Sequence, residues 1–417
     1  KETDHKKAAD IETECAVLLE NNGILPLNTD RKVAYIGEFA EKPRYQGGGS
    51  SHINPFRVVS ALDAAGEKGR SVTYAKGFSN ENDSMTEQEL EKALRTAAEA
   101  DVAVIFAGLP EIFESEGYDR TSMKLPKCQD RLIEEVLKVQ PNVVVVLHNG
   151  SPVELPWADR VSAILEMYLG GQGVGEACDR LLFGEANPSG RLAETFPYRL
   201  EDNPSYLHFP GNGKRVLYGE DIFVGYRYYD TKKVPVRYAF GHGLSYTEFT
   251  YGDLTLSSAQ MTDEDILTVS LKVKNSGKTE GKEVVQLYVA DLCGISERPV
   301  KELKGFAKVH LLPGEEKTVS MEISARNLSF YEERLGDWYA PSGTYRILIG
   351  HASDDIRLHA DVVFETKKKL PLRVDFTTTF GELLDHTKTA PVITELLAPL
   401  AAAAASAEGM SDEYKKL

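Results

Sequence analysis

The sequence predicts an α/β domain with a mainly parallel sheet, followed by a β-sandwich and a helical C-terminal tail. Three observations support this order. Residues 1–200 alternate helical periodicity with short β-branched runs, which is typical of βαβ units. Residues 251–366 instead alternate apolar and polar positions between Gly and Pro turns, which is typical of a β-sandwich. Residues 367–417 return to a helical pattern after three lysines.

Each element of the first region has a local signal. The predicted strands are nearly continuous apolar runs, as expected of strands covered on both faces, and lie at 32–37, 71–74, 101–108, 142–148 and 161–167. The predicted helices show the 3.6-residue period and lie near 4–21, 56–66, 86–99, 127–139 and 173–183. Thr86, with Glu89 three positions later, is a capping signal for the third helix.

The connector, the second domain and the tail also have local signals in the sequence. Residues 201–250 are rich in aromatic residues, Gly and Pro, which predicts a connector packing across domains. The second domain has the size of a fibronectin domain, with predicted strands at 267–273, 283–289, 317–323 and 344–349. In the tail, residues 380–400 have a helical pattern, for which we expect a docking or linking role.

Composition excludes several classes of protein. The 417 residues carry 48 Lys and Arg against 64 Asp and Glu, a net charge of −16, which argues against nucleic acid or an anionic membrane as the main partner. No apolar window reaches the roughly 18 residues of a membrane span. The four cysteines lack Cys-x-x-Cys spacing, and no histidines have metal-ligand spacing, so no metal site is predicted. The sequence does not begin with Met and has no apolar signal core, so we expect it to be a processed or truncated piece of a protein. The lack of a visible signal peptide predicts a cytoplasmic location.

The loop at 109–126 is the first candidate site. It follows the predicted strand at 101–108, and ligands of open α/β sheets lie beyond the carboxyl ends of strands. Two interpretations remain open: a solvated, salt-bridged acidic loop, or a loop that carries a proton-donating Glu into a cleft. Its charged residues include Glu111, Glu114, Glu116, Asp119 and Arg120.

Two glycine-rich segments are the other candidates. Residues 46–55 contain three glycines, which allow close backbone approach to a ligand, and Ser50, which offers a hydroxyl; a flexible surface turn is the alternative. Residues 170–175 imitate a dinucleotide fingerprint, but Glu176 replaces its third glycine. A tight strand-to-helix turn is therefore the favoured interpretation, with a nucleotide-dependent enzyme as the alternative.

Several motifs, in one order, resemble the non-barrel half of glycoside hydrolase family 3, the family of β-glucosidases and β-xylosidases. The matching stretches are AVLLENNGILPL at 16–27, SEGYDR at 115–120, NPSGRL at 187–192, YGEDIFVGYRYY at 218–229, FGHGLSY at 240–246 and KELKGF at 301–306. The resemblance covers about residues 5–365. It implies an α/β/α sandwich followed by a fibronectin type III-like β-sandwich.

The resemblance also implies a retaining β-glucosidase without a cofactor, acting on a β-glucoside or a short β-linked oligosaccharide. In the family, a β/α barrel supplies the nucleophilic Asp, so we expect the nucleophile to lie outside this chain. The barrel could precede residue 1 or follow residue 417, and a homo-oligomer is compatible with the sequence. A β-xylosidase of the same family and a non-catalytic carbohydrate-binding module are the alternatives.

The family's site residues carry over by motif. Glu116 is the expected acid/base carboxyl, with Glu114 as the second choice because the loop varies in length within the family. Asp119 and Arg120 are expected to support the loop. Ser50 takes the position of the family's serine in the glucose-binding subsite.

Overall fold

The computed structural model describes residues 1–294, 297–371 and 373–405. The described chain divides into two compact units. The first comprises Lys1–Leu328 and Ser342–Glu365, and the second comprises Ser329–Pro341 and the described residues of 366–405.

A six-stranded sheet forms the centre of the N-terminal domain. Its strand order is β1-β6-β5-β4-β2-β3; β2 to β6 are parallel, and β1 pairs antiparallel with β6 at one edge. Every residue of β4 and β5 is buried, so both faces of the central strands are covered. The strands are β1 Val17–Asn21, β2 Val33–Ile36, β3 Val72–Ala75, β4 Val102–Gly108, β5 Val143–His148 and β6 Ala163–Glu166.

Five helices cover this sheet and complete the predicted α/β/α arrangement. α1, α2 and α5 pack together, as do α3 and α4. Capping boxes start α2 at Ser60 and α3 at Thr86, so the capping signal read from the sequence is confirmed. The helices are α1 Glu2–Cys15, α2 Ala61–Glu67, α3 Glu87–Ala98, α4 Lys127–Val139 and α5 Val174–Leu182.

The prediction of one helix over 4–21 is wrong from residue 16 onward. The helix ends at Cys15, and Val17–Asn21 forms β1. Leu18 pairs with β6 on one side, and its carbonyl accepts a hydrogen bond of 2.8 Å from the N–H of Leu244 on the other. The apolar run that continues the helical pattern is therefore buried as an edge strand, where tertiary pairing outweighs local periodicity.

The connector contains little regular structure. A two-residue strand, β7 Phe196–Pro197, pairs antiparallel with β8 Val236–Tyr238, and the short helix α6 Tyr226–Lys232 lies between them. Residues 206–224 contain no helix or strand.

The second domain of the first unit is a β-sandwich, as predicted. A five-stranded sheet has the order β10-β18-β17-β12-β13, and a three-stranded sheet has the order β14-β11-β9. Buried and more exposed residues alternate along β11, which is the pattern of a strand with one face in a core. The elements of this domain are β9 Phe249–Leu256, β10 Gln260–Thr262, β11 Ile266–Asn275, β12 Gly281–Asp291, β13 Glu302–Leu311, β14 Glu316–Ser324, α7 Ala325–Leu328, β17 Gly343–Gly350 and β18 Ile356–Glu365. Two further strands, β15 Phe330–Glu332 and β16 Asp337–Tyr339, belong to the second unit.

A buried ion cluster joins the sandwich to the N-terminal domain. The Glu283 carboxylate on β12 lies 3.0 Å from Nη2 of Arg191 and 2.9 Å from Nδ1 of His351, and it accepts a 2.9 Å hydrogen bond from the hydroxyl of Tyr251. Burial alone would raise the pKa of Glu283. The hydrogen bond with His351 and the charge of Arg191 outweigh burial and lower this pKa to about 2.

The second unit contains the β15–β16 hairpin and the tail. Nζ of Lys368 donates to a carboxylate oxygen of Asp337 and to the carbonyl of Trp338, each at 2.8 Å. The helix predicted over 380–400 is two helices, α8 Phe380–Asp385 and α9 Ala390–Ala405. Among the described helices, none is both long enough and apolar enough to span a bilayer.

Candidate functional site

The two candidate loops lie at the same edge of the sheet. The glycine-rich loop, residues 46–55, follows β2. The acidic loop, residues 109–126, follows β4, and β4 pairs in parallel with β2. Carboxyl ends of adjacent parallel strands lie side by side, so loops that are about 60 residues apart in sequence come together.

Glu116 and Ser50 are in direct contact. The backbone N–H of Ser50 donates a hydrogen bond of 2.6 Å to Oε2 of Glu116. Hydrogen bonds from Ser50 favour the charged carboxylate and lower the pKa of Glu116. Both residues are exposed. The structure thus presents to solvent one carboxylate in a defined position, which can give or take a proton.

Glycine is required where the two loops touch. A Cβ at Gly49 would lie 2.7 Å from Cβ of Glu116, and one at Gly48 would lie 3.0 Å from Cβ of Ser115. The φ of Gly49 is +69°, a conformation that L-residues rarely adopt. Close packing against the acidic loop therefore accounts for Gly48 and Gly49.

Glu114 is enclosed by partners, unlike Glu116. Its Oε2 accepts hydrogen bonds from Nη1 of Arg44 at 2.6 Å and from the N–H of Gly150 at 2.7 Å. Its Oε1 accepts one from the hydroxyl of Ser151. Arg44 is only 8% exposed and also donates to the carbonyl of Leu109 at 2.8 Å. These contacts fix the base of the acidic loop to its surroundings.

Arg120 supports the loop from the other side. Its Nη1 donates to the hydroxyl of Ser151 at 2.6 Å and lies 3.7 Å from Oε1 of Glu114. Burial lowers the pKa of Arg120. Asp119, the other residue expected to hold the loop, is exposed and forms no hydrogen bond or ion pair with any described residue.

Sequence reasoning missed three residues of this neighbourhood: Arg44, Ser151 and Glu194. Burial raises the pKa of Glu194 to about 7, and the negative charge of Glu114 adds to the rise. Each of the three stands alone in its segment, without a motif, so only the folded contacts reveal it. Glu194, Arg120 and Ser151 line a cavity of about 700 Å³ that extends to the connector.

The glycines of 170–175 serve helix packing. A Cβ at Gly173 would lie 2.7 Å from Cβ of Ala9, and one at Gly170 would lie 2.6 Å from Cδ of Glu12, both on α1. This close approach of α1 supports the turn interpretation of the segment. In the part of the chain that the structure describes, no three His, Cys, Asp or Glu side chains are grouped as metal ligands.

Comparison with known proteins identifies both domains of the first unit. Residues 16–246 match the glycosyl hydrolase family 3 C-terminal domain, and residues 283–353 match a fibronectin type III-like domain. Thermostable beta-glucosidase B of Acetivibrio thermocellus is 48% identical over 401 residues, which are 95% of this chain and 53% of that protein. An exo-alpha-(1->6)-L-arabinopyranosidase of Bifidobacterium breve is 41% identical over 380 residues, 88% of this chain and 50% of that protein. The chain therefore spans about half the length of these relatives.

Solved structures agree with this assignment. The GH3 beta-glucosidase of Bifidobacterium adolescentis superposes with a TM-score of 0.88 at 39% identity, over 94% of this chain and 58% of that one. Beta-glucosidase 3B from Thermotoga neapolitana in complex with alpha-D-glucose gives a TM-score of 0.79 at 34% identity, over 87% of this chain and 54% of that one.

Proposed function

The chain belongs to glycosyl hydrolase family 3, and on that basis we propose that it is part of a retaining β-glucosidase. In this proposal Glu116 is the acid/base carboxyl, and Ser50 contributes to the glucose subsite. A β/α barrel outside the chain supplies the nucleophilic Asp. The substrate is a terminal β-D-glucosyl residue of a β-glucoside or a short β-linked oligosaccharide.

One observation carries the proposal: the contact between Ser50 and Glu116. Two separate motifs predict a sugar-binding role for Ser50 and a proton-transfer role for Glu116. The 2.6 Å hydrogen bond between them brings the two residues together at one exposed edge of the sheet, which supports both proposed roles. Glu114 is less suited to proton transfer, because Arg44, Gly150 and Ser151 already occupy its oxygens.

The reaction has two steps, and Glu116 acts in both. As the nucleophilic Asp attacks the anomeric carbon, protonated Glu116 donates its proton to the departing glycosidic oxygen, which leaves a covalent glycosyl-enzyme. Water then attacks the same carbon, and the Glu116 carboxylate accepts a proton from that water. Glucose leaves with its original anomeric configuration, and Glu116 is protonated again.

The first step requires a pKa for Glu116 higher than the lowered one it has in this chain. Two changes on assembly with the barrel act in the required direction: loss of solvent around the carboxyl, and the negative charge of the nucleophilic Asp nearby. Formation of the glycosyl-enzyme removes that charge, which lowers the pKa again for the second step. The barrel therefore supplies both the nucleophile and the protonation state of Glu116.

The test is Glu116→Ala in the complete enzyme. We expect kcat on glucosides with poor leaving groups to fall by roughly 10²–10⁴-fold, because these need protonation most. The kcat on activated aryl glucosides should fall less. Azide should partly restore turnover of these substrates by replacing water as the attacking nucleophile. Steady-state kinetics with a series of aryl β-glucosides measures both effects.

Glu114→Ala is the matched control on the same loop. It should have the milder effect on turnover, with no rescue by azide. Kinetics like the wild type for Glu116→Ala would refute the assignment, and a larger loss with azide rescue in Glu114→Ala would transfer the role to Glu114.

A second candidate comes from the arabinopyranosidase relative, which is 41% identical. The ratio of kcat/KM for aryl β-D-glucoside, aryl β-D-xyloside and aryl α-L-arabinopyranoside identifies the substrate. Sugar binding without hydrolysis of any of the three by the complete protein would instead indicate a carbohydrate-binding module.

A further inference from the structure

A fully buried carboxyl group lies at the same edge of the sheet as the candidate loops. Glu166 is the last residue of β6, and its side chain has no exposed surface. In the part of the chain that the structure describes, its hydrogen-bond partners are uncharged amide groups, and no cation pairs with it. A buried carboxyl without a cation costs free energy, so the position of Glu166 calls for a reason beyond packing.

The hydrogen bonds of Glu166 fix two neighbouring residues. Its Oε2 accepts a hydrogen bond of 2.9 Å from Nδ2 of Asn149, and its Oε1 accepts one of 2.8 Å from the backbone N–H of Tyr168. Asn149 is also fully buried. Tyr168 has a φ of +47°, a strained conformation that a residue with a side chain seldom adopts. Glu166 thus sets the orientation of the Asn149 amide and helps to hold the strained backbone at Tyr168.

Asn149 connects this buried carboxyl to the acidic loop. Its Nδ2 also donates to the carbonyl of Ser151 at 3.0 Å, which closes the turn after β5. From that turn, the N–H of Gly150 and the hydroxyl of Ser151 donate to the two carboxylate oxygens of Glu114. A continuous series of hydrogen bonds therefore runs from the end of β6 to the acidic loop.

The segment that follows β6 contacts the glycine-rich loop as well. A Cβ at Gly150 would lie 3.3 Å from Cδ1 of Leu169, and one at Gly47 would lie 3.9 Å from the same atom. The N–H of Gly171 donates to the carbonyl of Tyr45 at 2.9 Å. The glycine-rich loop and the turn after β5 are therefore both packed against this segment.

We propose that Glu166 is a positioning residue for proton transfer by Glu116. It acts through the amide of Asn149 and the carboxylate of Glu114, and because it is fully buried it does not touch the substrate. Without an acceptor at Glu166, the Asn149 amide loses its fixed orientation. Glu116 then leaves the position from which it protonates the departing oxygen. This inference rests on the proposed function, in which Glu116 is the acid/base carboxyl.

The test is Glu166→Leu in the complete enzyme, because leucine is similar in size and has no acceptor. We expect kcat on an alkyl β-glucoside, which has a poor leaving group, to fall on the order of 10²-fold, as for a displacement of about 1 Å. The kcat on an activated aryl β-glucoside should fall less, because its leaving group needs little protonation. We call the aryl kcat divided by the alkyl kcat the leaving-group ratio. A loss of folded protein lowers both kcat values equally and leaves this ratio unchanged.

Two further variants separate positioning from stability. Glu166→Gln keeps an acceptor oxygen for Asn149 and should restore most of the leaving-group ratio. Gln140→Leu is the matched control before β5, at the opposite edge of the sheet. Gln140 is 5% exposed, and its Nε2 donates to the carbonyls of Ala97 at 2.9 Å and Ala100 at 2.8 Å. This variant should lower stability and keep the leaving-group ratio of the wild type.

The leaving-group ratio decides the outcome. If Glu116→Ala shows its expected loss and Glu166→Leu keeps the wild-type ratio, the inference is overturned and the proposed function stands. If Glu166→Leu does not fold, Ser151→Ala takes its place, since it removes only the hydroxyl that meets Glu114. A raised ratio in Ser151→Ala supports the inference, and an unchanged ratio overturns it.

Amide hydrogen exchange separates the inference from the proposed function. A complete wild-type protein without glycosidase activity contradicts the proposed function. In that protein, faster exchange at residues 114–118 in Glu166→Leu, with unchanged exchange in α3, supports the hydrogen-bond series from β6 to the acidic loop. Unchanged exchange at residues 114–118 overturns the inference.

Discussion

Arg44 and Glu114 show how single residues can position the candidate acid/base group. Arg44 donates both to the carboxylate of Glu114, at 2.6 Å, and to the backbone carbonyl of the same residue, also at 2.6 Å. It thereby fixes the loop two residues before Glu116. An arginine fits this role because its planar fork can serve two acceptors at once.

Replacement of Arg44 by Met should therefore affect both stability and activity. A paired charge in a largely buried site is lost and Glu114 keeps its negative charge, so we expect the free energy of unfolding to fall by about 3 kcal/mol. Urea denaturation measures this loss. The control is Arg131→Met, which breaks the exposed pair with Glu87 and should cost less than about 1 kcal/mol. Equal losses in the two variants would contradict a supporting role for Arg44.

At the scale of elements, the site depends on the junction of two loops, and glycine makes the junction possible. Gly49→Ala tests this directly. The new Cβ overlaps with Glu116 and must displace it, and a displacement of about 1 Å can cost on the order of 10²-fold in rate. We expect kcat/KM of the complete enzyme on aryl β-glucosides to fall by about that factor.

Gly69→Ala is the matched control. Gly69 has a similar φ of +64°, but its Cβ would meet nothing within 4 Å. Both variants bear the strain of a left-handed residue, roughly 1–2 kcal/mol. Only Gly49→Ala should lose activity, and a similar loss in both would show that backbone strain, rather than contact with Glu116, is responsible.

Elements differ in how far the sequence predicts them. The strands from β2 to β6 are found within about two residues of their predicted ends. Continuous apolar runs bounded by turns are typical of the buried strands of an α/β protein. The sequence predicts helix where β1 lies, since the burial of this strand depends on β6 and Leu244, which are far away in sequence. The contacts of the candidate site also depend on residues that are far apart in sequence. Ser50 and Glu116 could be named from motifs, but their contact and the support from Arg44 exist only in the fold.

At the scale of the first unit, the Glu283 cluster joins the two domains. Glu283→Ala leaves the largely enclosed Arg191 and His351 without their carboxylate, so the free energy of unfolding should fall by about 3–5 kcal/mol. Because the cluster couples the sandwich to the N-terminal domain, we also expect calorimetry to resolve two transitions where the wild type shows one. The control is Asp361→Ala, which breaks an exposed pair with Arg346 within one sheet of the sandwich.

The stabilisation by this cluster depends on pH, and the direction follows from the lowered pKa of Glu283. The pKa of Glu283 is lowered to about 2 in the folded chain, whereas the unfolded chain has the ordinary value of about 4.5. Between these values the unfolded state binds more protons, so the stabilisation is fully present above pH 4.5 and is lost as the pH falls toward 2. Glu283→Ala should therefore lose less stability than the wild type between pH 4.5 and 2.5, measured by urea denaturation at each pH. Parallel curves for the two proteins would contradict a lowered pKa of Glu283 in the folded chain.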